Sequence, residues 1–456
     1  MLERLRRIVG ARPVVAPVLA IVLLVAFGGV LVGLHVRDYT RVSPSDELQH
    51  LDYLNRVVRE NEMVRRGDLF HDEALRTQAC QGLDAEFTDP PCGLDDYDPR
   101  TFQEGGFNTA YINPPIYYGL SGYTASALSA VTGSDSLFTT GRLTGILWLG
   151  AALVLLWLAM AELAISWQVR VPILLLTMTA PTVLEAVATI NPDSTALFAG
   201  ASVLLAILRW ERTGRWWWPA LAAVLALMLK STNIIAVGLG ILYLAIRHAQ
   251  TRRPVADGEP PDPASDEPRA GWRPFLRVTL SMAGGVAVVA FVWLVIGSAI
   301  ARVPSGDIPM QARFHVDSIG AAEFLTNSVT GFTPLNTPYV PVELATAWIS
   351  PVAVLVDRLF LVGLGVAAFA AGAGSRLRAM ALATLMALAL VGPGFVVVNF
   401  FLTDGMYVEI PRRYGLSAVP GMAIALAVVL RDRRALAVVS GGAGLIAVAT
   451  LRAVAG

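Results

Sequence analysis

The stretch that decides the fold is Val14–Val36, VVAPVLAIVLLVAFGGVLVGLHV, which contains no Asp, Glu, Lys or Arg. As a helix it is long enough to cross the ~30 Å of hydrocarbon in a bilayer. It follows MLERLRRIVGAR, a basic opening of the kind that precedes secretory leaders. The apolar run is too long for a leader, and no small-residue cleavage site comes before HVRDYTR, so it reads as an uncleaved first span.

The rest of the chain continues the pattern. Of its 456 residues 55% are hydrophobic and only 15% charged, where soluble domains carry about a quarter charged. Lys+Arg 35 balance Asp+Glu 35, which offers nothing to a nucleic-acid backbone. The expected class is an all-α polytopic membrane protein.

Sidedness follows from the basic residues, which favour the cytoplasmic face. Arg4, Arg6, Arg7 and Arg12 place the N-terminus inside, so residues 37–138 form a long first extracytoplasmic loop with juxtamembrane helices. Spans are expected over Thr139–Leu163 and, as two, over Val171–Leu208, meeting at Asn191-Pro192-Asp193. Trp217–Ile246 is long for one straight span and short for two ordinary ones. Arg215 before it and Arg247, Arg252 and Arg253 after it both read as cytoplasmic. An out-and-back pair of short helices, turning near Lys230-Ser231-Thr232-Asn233, satisfies both ends. Residues 247–274 include PVADGEPPDPASDEP (Pro254–Pro268), a linker-like composition expected on the cytoplasmic side.

Phe275–Ile300 then leads out to a second extracytoplasmic loop, 301–345. The chain returns to Arg376 and Arg378, crosses through Ala379–Phe400 and Tyr414–Arg431, and ends with a span near Leu451. The expectation is about 11 transmembrane helices, with no internal repeat. Cys80 and Cys92 both fall in the first loop, where an oxidising compartment and short spacing favour a structural disulfide over two separate thiols.

Polar chemistry is densest at the two ends of that loop. Ser43-Pro44-Ser45-Asp46-Glu47-Leu48-Gln49-His50-Leu51-Asp52-Tyr53 has the proline and acidic residues of a helix start. On that helix Asp46 and His50 share a face at i, i+4, with Tyr53 close by and Glu47 to one side. The plain alternative is that Asp46 and Glu47 only cap and charge a surface helix. Asn113-Pro114-Pro115-Ile116-Tyr117-Tyr118 opens a second helix, Pro115–Val131, expected along the outer membrane surface.

Lys230 is the only lysine, and it sits in an apolar segment where a charge costs ~2.5–3.5 kcal/mol. Arg412 and Arg413 map to the outer half, either as anion contacts or paired with Glu409 or Asp404 in a solvated loop. Asp193 is either functional or a helix cap. Asp357-Arg358 reads as a local ion pair on a surface helix, and Trp216-Trp217-Trp218 as an interfacial anchor. Asp84, Asp89, Asp95, Asp96 and Asp98 scatter around the cysteines. They leave room for a weak divalent-cation site such as Ca²⁺ but form no clustered metal-ligand set.

Read together, these elements resemble the GT-C superfamily of membrane glycosyltransferases, in particular the branch with protein O-mannosyltransferases, lipid A aminoarabinose transferases and related bacterial multi-pass proteins. The resemblance runs in order through Pro44-Ser45-Asp46-Glu47…His50, Asn113-Pro114-Pro115-Ile116-Tyr117-Tyr118, Asn191-Pro192-Asp193-Ser194, Leu229-Lys230 and Pro411-Arg412-Arg413-Tyr414…Pro420. It implies a single GT-C-like domain over 1–456 in the plasma (inner) membrane. It further implies an extracytoplasmic active site, a polyprenyl-phosphate sugar donor, inversion at the anomeric carbon, and a glycan, lipid or protein acceptor of the cell envelope. Asp46 or Glu47 would be the catalytic base. His50, Tyr53, Asn113, Tyr117, Asp193, Lys230, Arg412, Arg413 and Tyr414 would bind donor or acceptor. Asn113 departs from the pattern, since the mannosyltransferases carry His there. A lipid or glycan transporter, and a non-catalytic envelope-assembly scaffold, stay open as alternatives, although transporters tend to show repeated halves and a midplane site.

Overall fold

The computed structural model describes residues 14–83, 88–134, 136–251, 271–304, 314–336, 349–402 and 405–455. Arg4, Arg6, Arg7, Arg12, Asp84, Arg252, Arg253, the Pro254–Pro268 linker, Asp404 and parts of the 301–345 loop lie outside these residues. Among the described residues the regular elements are helices, and three isolated β-bridges are the sole strand-like pairings.

Among the described residues nine helices are long and apolar enough to cross a membrane: Val15–Asp38, Leu137–Glu162, Pro192–Thr213, Ser231–Gln250, Trp272–Ala299, Pro351–Ala370, Arg376–Val398, Arg412–Arg431 and Arg433–Val454. The protein is a polytopic membrane protein.

Two apolar segments depart from ordinary spans. The expected span after Arg170 is two helices, Trp167–Met178 and Pro181–Ala188, bent by 66°. Proline disfavours helical geometry in the residue before it. Ala180 is accordingly extended (φ −64, ψ 127), and the helix restarts with Pro181 in its first turn.

The second departure is the break at Lys230. Trp217–Leu229 ends there, Lys230 is extended (φ −160, ψ 136), and Ile234–Thr251 begins after one 3₁₀ turn. Ion pairs at the two ends fix the direction of each half. Lys230 Nζ lies 2.6 Å from Asp193 Oδ1, at the start of Pro192–Thr213. Arg247, near the end of the second half, lies 3.5 Å from Glu211 at the far end of that same helix. The two halves therefore run antiparallel.

The far end is a carboxylate–guanidinium cluster of its own. Arg212 and Arg209 lie 3.1 and 3.4 Å from Glu162, and Arg376 lies 3.2 Å from Glu211. Between the two polar ends runs one continuous apolar core built from Leu31, Leu149, Ile173, Val203, Phe360 and Met422 among others.

A second, smaller core lies beneath the first loop, around Leu48, Tyr53, Leu54, Tyr117 and Tyr118. That loop is heavily cross-linked. Cys80 and Cys92 are disulfide-bonded, with Cα atoms 4.6 Å apart. Buried Asp52 accepts from Arg56 Nε (3.0 Å), Asn108 Nδ2 (2.8 Å) and the His71 backbone N–H (2.9 Å). Arg56 also reaches Asp68, which pairs with Arg302 from the end of the Trp272–Ala299 helix. Asp357 is not on a surface helix. It is buried within the Ile349–Ala370 helix, where its Oδ1 accepts from the Leu335 N–H at 3.2 Å.

Two glycines set close helix approaches. A Cβ on Gly145 would overlap the Val187 carbonyl, and one on Gly200 would overlap the Ser417 carbonyl. The second contact seats the Arg412–Ala418 turn directly on the helix that begins near Asp193.

Candidate functional site

Four segments distant in sequence meet at one end of the bundle. The first is the turn at Pro44–Asp46. The helix expected from Asp46 begins one residue later, at Glu47, and Asp46 occupies the left-handed region (φ 64, ψ 19) with no capping bond from its side chain. Left-handed backbone is uncommon for a residue with a Cβ and is found at sites held by their surroundings. The shared Asp46–His50 face is thus replaced by a backbone bond, His50 N–H to Asp46 O at 3.2 Å.

The Asp46 carboxylate points to Arg413, whose Nη2 donates to Oδ2 at 2.7 Å. Arg413 Nε donates to Asp193 Oδ2 at 2.9 Å, and Lys230 Nζ donates to Asp193 Oδ1 at 2.6 Å. The order is Asp46–Arg413–Asp193–Lys230, alternating in sign. Access differs along it: the Asp46 side chain is 48% exposed and Arg413 18%, whereas Lys230 is 6% and Asp193 1%. Asp46 is the member that an incoming molecule reaches first.

Local sequence explains each placement. Asn191, not Asp193, caps the Pro192–Thr195 turn by accepting from the Asp193 N–H at 2.9 Å, which leaves the Asp193 carboxylate for the cations. Asn233 donates to Thr195 Oγ1 and to the Ala226 carbonyl, both at 3.2 Å, tying the Lys230 break to that turn. The segment leading to Arg413 is held where Asn327 Oδ1 accepts from the Ile410 N–H at 2.8 Å. The Tyr414 ring closes one side, with Lys230 Nζ 4.8 Å from its centroid, in cation–π range.

Glu47 takes no part in this chain. It is fully buried, and its two oxygens accept from Arg142 Nε (2.8 Å) and Nη2 (2.6 Å), from the Ser43 N–H (2.8 Å) and from the Ile190 N–H (2.8 Å). Its two oxygens each accept two hydrogen bonds, so its lone pairs are taken up within the fold. Arg412 also turns away: its Nη1 donates to the Asn336 carbonyl at 3.2 Å. Arg413 pairs with Asp46 and Asp193 and not with Glu409; Asp404 lies outside the described residues.

The aromatic candidates form a wall behind the site. Tyr53 and Tyr118 stack with centroids 3.8 Å apart, Tyr117 packs edge-on to Tyr118, and His50 Nδ1 lies 2.8 Å from Tyr118 Oη. All four are buried, as is Asn113, so they shape the site from beneath without lining its opening. Burial, together with the positive charges of Lys230 and Arg413, holds the His50 imidazole well below its usual range. It is therefore a neutral hydrogen-bonding group.

Sequence reading passed over three contributors. Arg142 and Glu185 are charges within apolar segments, a signal that marks functional or paired residues. Ser45 donates from Oγ to Glu185 Oε1 at 2.8 Å. Among the described residues no group of three or more His, Cys, Asp or Glu could hold a metal ion. Near the disulfide, Asp89 accepts from Gln78 Nε2 (2.7 Å) and the Leu83 N–H (2.9 Å), and Asp98 caps a 3₁₀ turn. Compared with protein-family models and with curated proteins, the chain matches none.

Proposed function

We propose that the protein is a GT-C-like glycosyltransferase that moves a sugar from a polyprenyl-phosphate donor to a cell-envelope acceptor. The observation that carries this reading is the convergence of one reachable carboxylate with two cations at one end of the bundle.

The chemistry divides between them. Asp46 takes the proton as an acceptor hydroxyl attacks the anomeric carbon, a step in which a placed base contributes ~10²–10⁴-fold. The bond from that carbon to the phosphate oxygen breaks, and the lipid phosphate leaves with the electron pair. Arg413 and Lys230 stabilise the charge that develops there, worth ~10²–10³-fold for such a contact. Arginine suits two-pronged phosphate contact and lysine a point contact. Arg413 Nη2 donates to Asp46 Oδ2. A phosphate that exchanges for Asp46 at this nitrogen turns the carboxylate over to the acceptor.

Membrane geometry fits the same reading. The reading takes as membrane-embedded the nine long helices, the bent pair and the short Trp217–Leu229 helix, eleven segments among the described residues. The short helix has 13 residues and rises about 20 Å, less than the ~30 Å hydrocarbon thickness. On this reading Lys230 sits short of the extracytoplasmic surface, at the depth of a lipid phosphate drawn inward.

The test is transfer itself. Purified protein with labelled polyprenyl-phosphate sugars and envelope acceptors is expected to cleave the donor, and Asp46→Asn to abolish cleavage while the protein stays folded. Flux of intact lipid without bond cleavage would favour the transporter reading. Full activity in Asp46→Asn would remove the base.

A further inference from the structure

The left-handed turn that aims Asp46 is tied to the stretch after the 66° bend, through Glu185 on the short helix and Asn191 just beyond it. Ser45 is buried, and two of its three polar groups bond to this region. Its hydroxyl donates to Glu185 Oε1 at 2.8 Å, and its carbonyl accepts from Asn191 Nδ2 at 2.9 Å. Its own N–H reaches Ser43 Oγ at 3.2 Å. The next residue is Asp46, with φ 64. A backbone in this region costs ~1–3 kcal/mol for a residue with a Cβ and persists only where its surroundings fix it.

Glu185 is itself out of place by composition. It is the single charged residue of the Pro181–Ala188 helix, PTVLEAVA, and charges in such segments are retained for a purpose. It also lies near enough to Arg413 to interact electrostatically. Two roles compete: holding Ser45 by a hydrogen bond, or balancing the Arg413 charge.

We infer that Glu185, with Asn191, is a positioning residue that acts through Ser45 to aim the Asp46 carboxylate at the reaction site. The bend after Met178 places Glu185 beneath Ser45, and the rigid pair Ser45–Glu185 converts that packing into the direction of Asp46. This rests on the transferase reading for its effect on rate but not for its effect on geometry.

The experiment therefore uses two readouts on purified full-length protein: donor-dependent transfer, and binding of a short-chain polyprenyl phosphate. Ser45→Ala and Glu185→Ala are each expected to lower kcat about 10-fold, the scale of one lost buried hydrogen bond, with donor KM unchanged. The double variant is expected to lose no more than either single, because both remove one shared contact. Glu185→Gln keeps a carbonyl acceptor for the Ser45 hydroxyl and is expected to stay within about twofold of wild type.

In the binding readout Asp46→Asn releases Arg413 and tightens phosphate binding about fivefold, the scale of a partly exposed ion pair. Ser45→Ala and Glu185→Ala shift it in the same direction by less. Loss in Glu185→Gln equal to that in Glu185→Ala would overturn the hydrogen-bond route, as would additive single effects. So would losses that merely follow a lower melting temperature. A wild type that binds the lipid phosphate but never transfers sinks the transferase reading alone, and the binding shifts still decide the role of Glu185.

Discussion

Replacing Glu47 by glutamine separates two roles that adjacent carboxylates could share. The carboxylate is fully buried and accepts four hydrogen bonds, two of them from an Arg142 side chain that is 1% exposed. In Glu47→Gln the remaining carbonyl oxygen can still serve Arg142 Nε and the Ile190 N–H. The new amide N–H₂ then faces Arg142 Nη2 and the Ser43 N–H, donors against donors. Arg142 keeps the Tyr39 and Arg41 carbonyls, both at 2.5 Å, but its charge is left uncompensated. Breaking a buried pair by removing one partner costs ~3–5 kcal/mol, a large share of a total stability of ~5–15 kcal/mol. Detergent-solubilised Glu47→Gln is expected to show lower yield, broadened size-exclusion behaviour and a lower melting temperature, while Asp46→Asn matches wild type on all three. A Glu47→Gln protein as stable as wild type but unable to transfer sugar would refute this reasoning and make Glu47 the base.

Three further outcomes follow from the same geometry. His50 has its folded-state pKa depressed by burial and by nearby Lys230 and Arg413, so the unfolded chain binds its proton more readily. The stability it allows is complete above the free imidazole value of about 6.5 and declines as pH falls below it, by at most ~1.4 kcal/mol per pH unit. Melting temperatures at pH 7.5 and 5.5 should therefore differ more in wild type than in His50→Gln. Gly200→Ala pushes a methyl group into the Ser417 carbonyl, costing ~1–3 kcal/mol, and is expected to weaken lipid-phosphate binding because Arg413 rides on that turn. Replacing Cys80 and Cys92 with serine opens a loop closed over 12 residues, a loss of about 3 kcal/mol in chain-entropy terms. Limited proteolysis should then cut the first loop faster while the helical core survives.

Much of the architecture was legible because a membrane solvent simplifies the reading. Long apolar runs became helices, and the basic flanks of Trp217–Ile246 pointed to two short helices, which the Asp193–Lys230 and Glu211–Arg247 contacts show to be antiparallel. The bend at Ala180-Pro181 was missed because the whole segment is apolar and a hydrophobic run does not report direction. At the site, Asp46, Asp193, Lys230 and Arg413 were singled out from chemistry in unusual places, and the structure brings these four together. Glu47 and Arg412 could not be told from Asp46 and Arg413 by sequence. Neighbouring residues at a helix start or a turn point in different directions, and which one joins the Asp193–Lys230 group depends on tertiary contacts from Arg142 and Asn336. Glu185 stands out as a charge in an apolar segment, but its bond to Ser45 could not be read, since it joins positions 140 residues apart.

The account depends most on where an anionic headgroup sits. A cryo-electron microscopy map of the protein in nanodiscs with a polyprenyl phosphate should place the phosphate against Arg413 and Lys230, with Asp46 released from Arg413 and facing open space. Phosphate density at the Glu162–Glu211 end of the bundle, or an Asp46–Arg413 pair left intact beside a headgroup bound elsewhere, would contradict it.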